Sequence, residues 1–112
     1  MDIKCMYIIS YDFEEENNVV RDRFRTALKD ELSGVELTES TYSIGSIDTF
    51  EKMMGKIEKI LLEAYIDITR TPKQNDKVWL FCTSKQVDFN AGKDYCIYGY
   101  ELVKNIKGKI NN

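Results

Sequence analysis

Histidine is missing from all 112 residues. Its absence removes the commonest general base, the commonest transition-metal ligand and any ordinary serine or cysteine triad. Cysteine is scarce, and Cys5, Cys82 and Cys96 stand far apart in strand-like sequence. Neither a disulfide framework nor a zinc knuckle is indicated, so all three read as small buried hydrophobes. One proline and six glycines leave no room for a long flexible linker. No apolar run approaches bilayer-spanning length, and the amino terminus lacks the basic stretch, apolar block and small-residue site of a signal peptide. The expected location is therefore the cytoplasm, with no membrane partner. Positive charge is also in short supply: a formal net charge of -3 argues against a surface devoted wholly to phosphate neutralisation. A local basic stripe is the remaining route to nucleic acid.

What is present is globular material. Apolar residues make up 43% and charged residues 31%, enough for one core and not for two at this length. The organising stretch is Met6-Tyr7-Ile8-Ile9-Ser10-Tyr11-Asp12-Phe13. Its apolar residues fall on both parities, which predicts a central strand with both faces covered or nearly so. Asp12 then lies where a rigid strand meets a loop, a position from which ligand and metal sites are commonly built. The plainer role for such an aspartate is a turn or a cap.

The first strand is expected over Lys4 to Tyr11. Asn17 or Asn18 offers a helix cap, and Glu14, Glu15 and Glu16 suit the positive end of the dipole, either as a solvated approach or as added metal ligands. Val20, Phe24, Ala27, Leu28 and Leu32 recur at helical spacing, so a helix runs from about Val19 to Leu32 and closes on Gly34 as a left-handed terminator. Val35 to Ile44 is extended, but its apolar parity changes, which predicts a bulge or break near Glu39 and Ser40. Asp48-Thr49-Phe50-Glu51 has the pattern of a capping box with Asp48 as cap. Phe50, Met53, Met54, Ile57, Ile60, Leu61 and Ala64 follow as a second helix, its methionines filling core. Thr69 to Asp76 is a loop, Lys77 to Thr83 a strand, Ser84 to Lys93 a polar connection and Tyr95 to Val103 a last strand.

This order predicts an α+β domain over residues 1–103: a ferredoxin-like β-α-β-(β)-α-β sheet with both helices on one face, plus an extra C-terminal strand. Residues 104–112 are expected to be a basic, mobile tail. Arg21, Arg25 and Lys29 form one basic stripe and Lys52, Lys56 and Lys59 another. Either could follow a phosphate backbone or be ordinary solvated helix surface. Tyr95, Tyr98 and Tyr100 suit either base stacking or cross-strand packing.

A first strand ending Tyr11-Asp12, an arginine-bearing helix closed by glycine and a bent strand containing Ser40-Thr41-Tyr42-Ser43-Ile44 resemble one family of small ferredoxin-like proteins. That family includes the smaller CRISPR-adaptation subunit, the VapD-type toxin ribonucleases and short SinR-like proteins. The resemblance covers the chain to about Thr83. It implies a homodimer whose last strand completes the partner's sheet, with Asp12 facing its twin across the two-fold axis. It further implies a metal-dependent endoribonuclease or nucleic-acid-processing protein, with Asp12 as catalytic residue and ligand to Mg2+ or Mn2+. Ser40 and Tyr42 match the serine and aromatic positions of the bent strand; with Arg21, Arg25 and Lys29 they complete a candidate RNA- or DNA-binding set. The long Ser84 to Lys93 connection and the acidic balance depart from the family pattern. The competing reading is a non-catalytic ferredoxin-like interaction module, an antitoxin partner or phage accessory protein that binds another protein.

Overall fold

The computed structural model describes residues 5–84 and 97–110. The expected Ser84 to Lys93 connection, and Tyr95 and Cys96, lie outside the described residues apart from Ser84, which ends a strand. The described elements are β1 (Cys5–Asp12), a short 3₁₀ turn (Glu15–Asn17), α1 (Asn18–Leu32), β2 (Val35–Thr38), β3 (Thr41–Ser46), α2 (Phe50–Asp67), β4 (Lys77–Ser84), β5 (Ile97–Glu101) and α3 (Val103–Ile110). Among these residues the strands form one antiparallel sheet in the order β2-β3-β1-β4-β5. The architecture is α+β and compatible with a ferredoxin-like arrangement.

Register explains which side of the sheet is covered. Tyr7 lies opposite Ile44 and Cys82, Ile9 opposite Tyr42 and Leu80, and Tyr11 opposite Val78. All eight are buried, and they pack in one core with Phe24 and Leu28 of α1 and Ile57 and Leu61 of α2. A fully buried side chain of this kind contributes about 1.5–3 kcal/mol through area removed from water. The other parity is not covered to the same degree. Met6 is 40% exposed and Trp79 39%, and the Trp79 and Phe81 rings stack at 6.2 Å on this second face. The expectation that β1 is covered on both faces, or nearly so, is therefore corrected: on its outward side Met6 and Ile8 are not deeply buried and Ser10 and Asp12 are polar. Gly99 belongs to the same face, where a Cβ would come within 2.7 Å of the Phe81 ring; only glycine lets that ring lie across β5.

Helix ends depart from local sequence rules in three places. The residue in the left-handed conformation after α1 is Ser33 (φ 54°), not Gly34. Gly34 instead donates its N–H to the Leu28 carbonyl at 2.9 Å, and a Cβ there would meet that oxygen at 3.0 Å and the Tyr42 ring at 3.1 Å. The cap of α2 is Thr49, whose hydroxyl accepts from the Lys52 N–H. Asp48 accepts from Lys56 instead, and that ammonium holds its carboxyl below the usual range. Asn17 precedes α1 but makes no capping bond with its side chain, because the amide is used elsewhere.

The parity change over Val35 to Ile44 is a chain reversal between two short strands, with the register shifting between Glu36 and Thr38. Beyond β5 the expected mobile tail is replaced over Val103–Ile110 by a helix. Val103 and Ile106 of α3 are fully buried and pack into the core, so its lysines ride on an amphipathic element.

Candidate functional site

A cleft of about 450 Å³ opens at the carboxyl end of β1. It gathers Asp12, Arg21, Arg25 and Ser40, four of the six residues proposed from sequence, although they come from two elements and a turn. Asp12 is carried by the last position of β1, paired with Lys77 of β4, and its side chain is exposed. Arg21 and Arg25 are one helical turn apart on α1, so both reach the same opening. Ser40 comes from the reversal between β2 and β3, held by the Tyr11 N–H donating to its carbonyl at 3.0 Å.

Tyr42 and Lys29 do not line the cleft. Tyr42 is buried beneath it, with its ring 6.4 Å from that of Tyr11. Lys29 is exposed in the last turn of α1. Four further lining residues, Tyr11, Phe13, Glu36 and Glu39, were not among the candidate site residues. Tyr11 sits beside Asp12 and was available as a signal; the two glutamates enter only because β2 and β3 fold back on β1.

Electrostatically the cleft is mixed. Asp22 accepts from Arg21 at 3.1 Å and from Arg25 at 3.5 Å, and all three side chains are more than one-third exposed. Exposed pairs of this kind contribute about 0–1 kcal/mol, so an incoming anion can compete for the guanidinium groups. Burial, followed by the neighbouring Tyr42, pushes the Tyr11 phenol up from 10.0 to about 12 despite the opposing Arg25. At neutral pH it is therefore a neutral donor, and it donates to the Glu39 carbonyl at 2.9 Å. Burial, with Glu36 nearby, also raises Tyr42.

These shifts predict an alkaline limit to stability. Below pH 10 the Tyr11 phenol is protonated in both folded and unfolded chains and adds no pH dependence. Above it the unfolded chain releases the proton first, so the folded state loses up to about 1.4 kcal/mol per pH unit until Tyr11 itself ionises near 12. Urea midpoints should stay level from about pH 7 to 10 and fall from there to 12, more shallowly in Tyr11→Phe; a level wild-type profile between pH 10 and 12 would contradict this assignment.

The glutamate run next to Asp12 is engaged in holding loops. The Glu14 carboxylate accepts from the Asn75 N–H at 2.8 Å and Glu16 pairs with Lys73 at 3.1 Å. Among the described residues no group of three histidine, cysteine, aspartate or glutamate side chains is placed to hold a metal ion. One chain thus offers Asp12 without a completed ligand set. Of the aromatic residues considered for base stacking, Tyr100 carries the Lys104 ammonium 4.7 Å from its ring centre, so α3 already occupies it. Cys82 is buried, as expected of a small core residue.

In comparisons with known proteins, no family model, no curated protein and no solved structure matches this chain. No helix among the described residues is long and apolar enough to cross a membrane. The fold and the cleft define an α+β protein with two guanidinium groups, a hydroxyl and a carboxylate around one polar opening.

Proposed function

We propose that this chain is a ferredoxin-like nucleic-acid-processing protein whose cleft at the end of β1 engages a phosphate of RNA or DNA. The observation that carries the reading is the convergence of Arg21, Arg25, Ser40 and Asp12 on one opening. Two guanidinium groups present planar donor forks that match phosphate oxygens, and a serine hydroxyl adds a further donor. The strand order supports the fold half of the proposal: β2-β3-β1-β4 with helical crossovers is the order a ferredoxin-like chain requires, and β5 extends it.

The acids of the cleft bear on how it would work. Asp12, Glu36 and Glu39 outnumber Arg21 and Arg25, so an entering phosphate meets repulsion as well as attraction unless a cation accompanies it. A Mg2+ or Mn2+ ion belongs to this reading at the level of a homodimer, in which the Asp12 of each copy would supply what one chain lacks. No catalytic step is assigned through that ion.

The test is the binding of labelled single-stranded RNA and duplex DNA, followed by anisotropy over a range of salt. Arg21→Glu combined with Arg25→Glu should weaken binding by at least about tenfold and flatten the salt dependence. Lys52→Glu with Lys59→Glu on α2 should change it little. Asp12→Asn should retain binding while abolishing Mg2+- or Mn2+-dependent cleavage. Equal losses from the two charge reversals, or no binding by the wild type, would reject the phosphate site and leave the non-catalytic interaction module.

A further inference from the structure

A second surface, between α1 and α2, adjoins the β1 cleft through Asp22, which pairs with Arg21 and Arg25, but its chemistry does not depend on the reading of that cleft. A groove of about 630 Å³ separates the two helices. Its apolar part is supplied by Ala27 of α1 and by Ile60 and Ala64 of α2, with Val19 from the first turn of α1. Ala27 and Ala64 are too short to fill the space, and Val19 is 53% exposed although aliphatic.

The polar part of the groove is acidic. Asp22, Asp30 and Glu31 line it from α1, Glu63 and Asp67 from α2, and Arg23 is the only lining cation. Arg23 is committed to Asp67 at 3.2 Å, and Asp22 to Arg21 and Arg25. Asp30, Glu31 and Glu63 have no ion-pair partner among the described residues. Three uncompensated carboxylates bordering apolar surface repel nucleic acid and anionic lipid. They complement a helix that is aliphatic on one face and basic on its flanks.

We propose that this groove docks a basic amphipathic helix of a partner protein. The distance along α1 from Val19 to Glu31 is about 18 Å at 1.5 Å per residue, so a ligand of three to four turns spans it. A second copy of this chain is a poorer occupant. Among the described helices only α3 carries lysines and no acidic residue, and it already buries Val103 and Ile106 in its own core.

The test uses a labelled synthetic leucine–lysine helical peptide, with a leucine–glutamate peptide as control, titrated into the full chain while amide shifts are mapped by NMR. The leucine–lysine peptide should bind, salt-dependently, and shift amides along Val19 to Glu31 and Ile60 to Asp67; the acidic peptide should not. Asp30→Lys with Glu63→Lys should weaken binding by at least about tenfold, and Val19→Ser by several-fold, reflecting the polar and apolar parts of the contact. Reversing exposed acids away from the groove, Glu15→Lys with Glu51→Lys, should alter it by less than about twofold. Equal losses from both reversals, shifts mapping elsewhere, or no binding would overturn the proposal. So would wild-type self-association that the Asp30→Lys, Glu63→Lys variant abolishes, which would assign the groove to a second copy.

Discussion

Asp76→Ala is expected to cost about 3–5 kcal/mol of folding stability, a large share of the 5–15 kcal/mol typical of a single domain. Asp76 is fully buried. One carboxylate oxygen accepts from the Glu14 N–H at 2.8 Å. The other accepts from the Asn17 amide at 2.7 Å, the Tyr65 hydroxyl at 2.7 Å and the Lys73 N–H at 2.9 Å. Asn17 also donates to the Thr71 carbonyl at 3.0 Å. One side chain thus ties the entry to α1, the body of α2 and the loop before β4. Removing it strands four donors, and an unpaired buried donor costs more than the bond it replaces contributed.

The same network raises the Tyr65 phenol well above its ordinary range, first by burial and then by its bond to Asp76. Tyr65→Phe alone should cost less than Asp76→Ala, and the two losses should fall short of additive in a double-mutant cycle because they share a bond. Urea unfolding measures both. A loss below about 1.5 kcal/mol in Asp76→Ala would mean that water satisfies the stranded donors and that the cluster is not what holds these segments together.

Glu101→Ala should be the next most damaging change, at about 2–4 kcal/mol. Glu101 is buried at the end of β5. Its carboxylate accepts from the Val103 N–H at 2.6 Å, the Lys104 N–H at 3.1 Å and the Val78 N–H at 3.0 Å. It therefore caps the amides that begin α3 and closes the last rung between β4 and β5, where Leu102 also donates to the Val78 carbonyl. Glu101→Gln keeps one acceptor oxygen and should recover more than half of the loss. Hydrogen exchange separates this from general destabilisation: α3 amides should lose protection ahead of those in β1. Uniform loss across the molecule would contradict a local latch.

Legibility followed the range of the forces involved. The apolar spacing of Val20, Phe24 and Leu28, and of Met53, Ile57 and Leu61, predicts both long helices, and all six residues are buried. Helical amphipathicity depends on neighbours three and four positions away, which sequence displays directly. Asn17 shows the opposite. Its neighbours suggested a cap, whereas its amide bonds to a carboxylate 59 residues further on. Likewise β1 reads as covered on both sides because its residues are apolar, while only pairing with β3 and β4 decides which side the helices occupy. In the candidate site, Asp12 and the arginine pair could be nominated from residue type and spacing. Glu36 and Glu39 could not, because they border the cleft only once β2 and β3 have folded back.

By itself the sequence determined the class of fold, the two long helices, the absence of imidazole chemistry and the residues around which a phosphate site could form. These follow from composition and short-range periodicity, which survive in the unfolded chain. Tertiary structure decided that Arg21, Arg25, Ser40 and Asp12 share one opening, that residues 103–110 form a packed helix, and that Asp76 and Glu101 bind distant segments together. Each of those outcomes rests on hydrogen bonds or packing between segments that become neighbours only when the chain closes on itself.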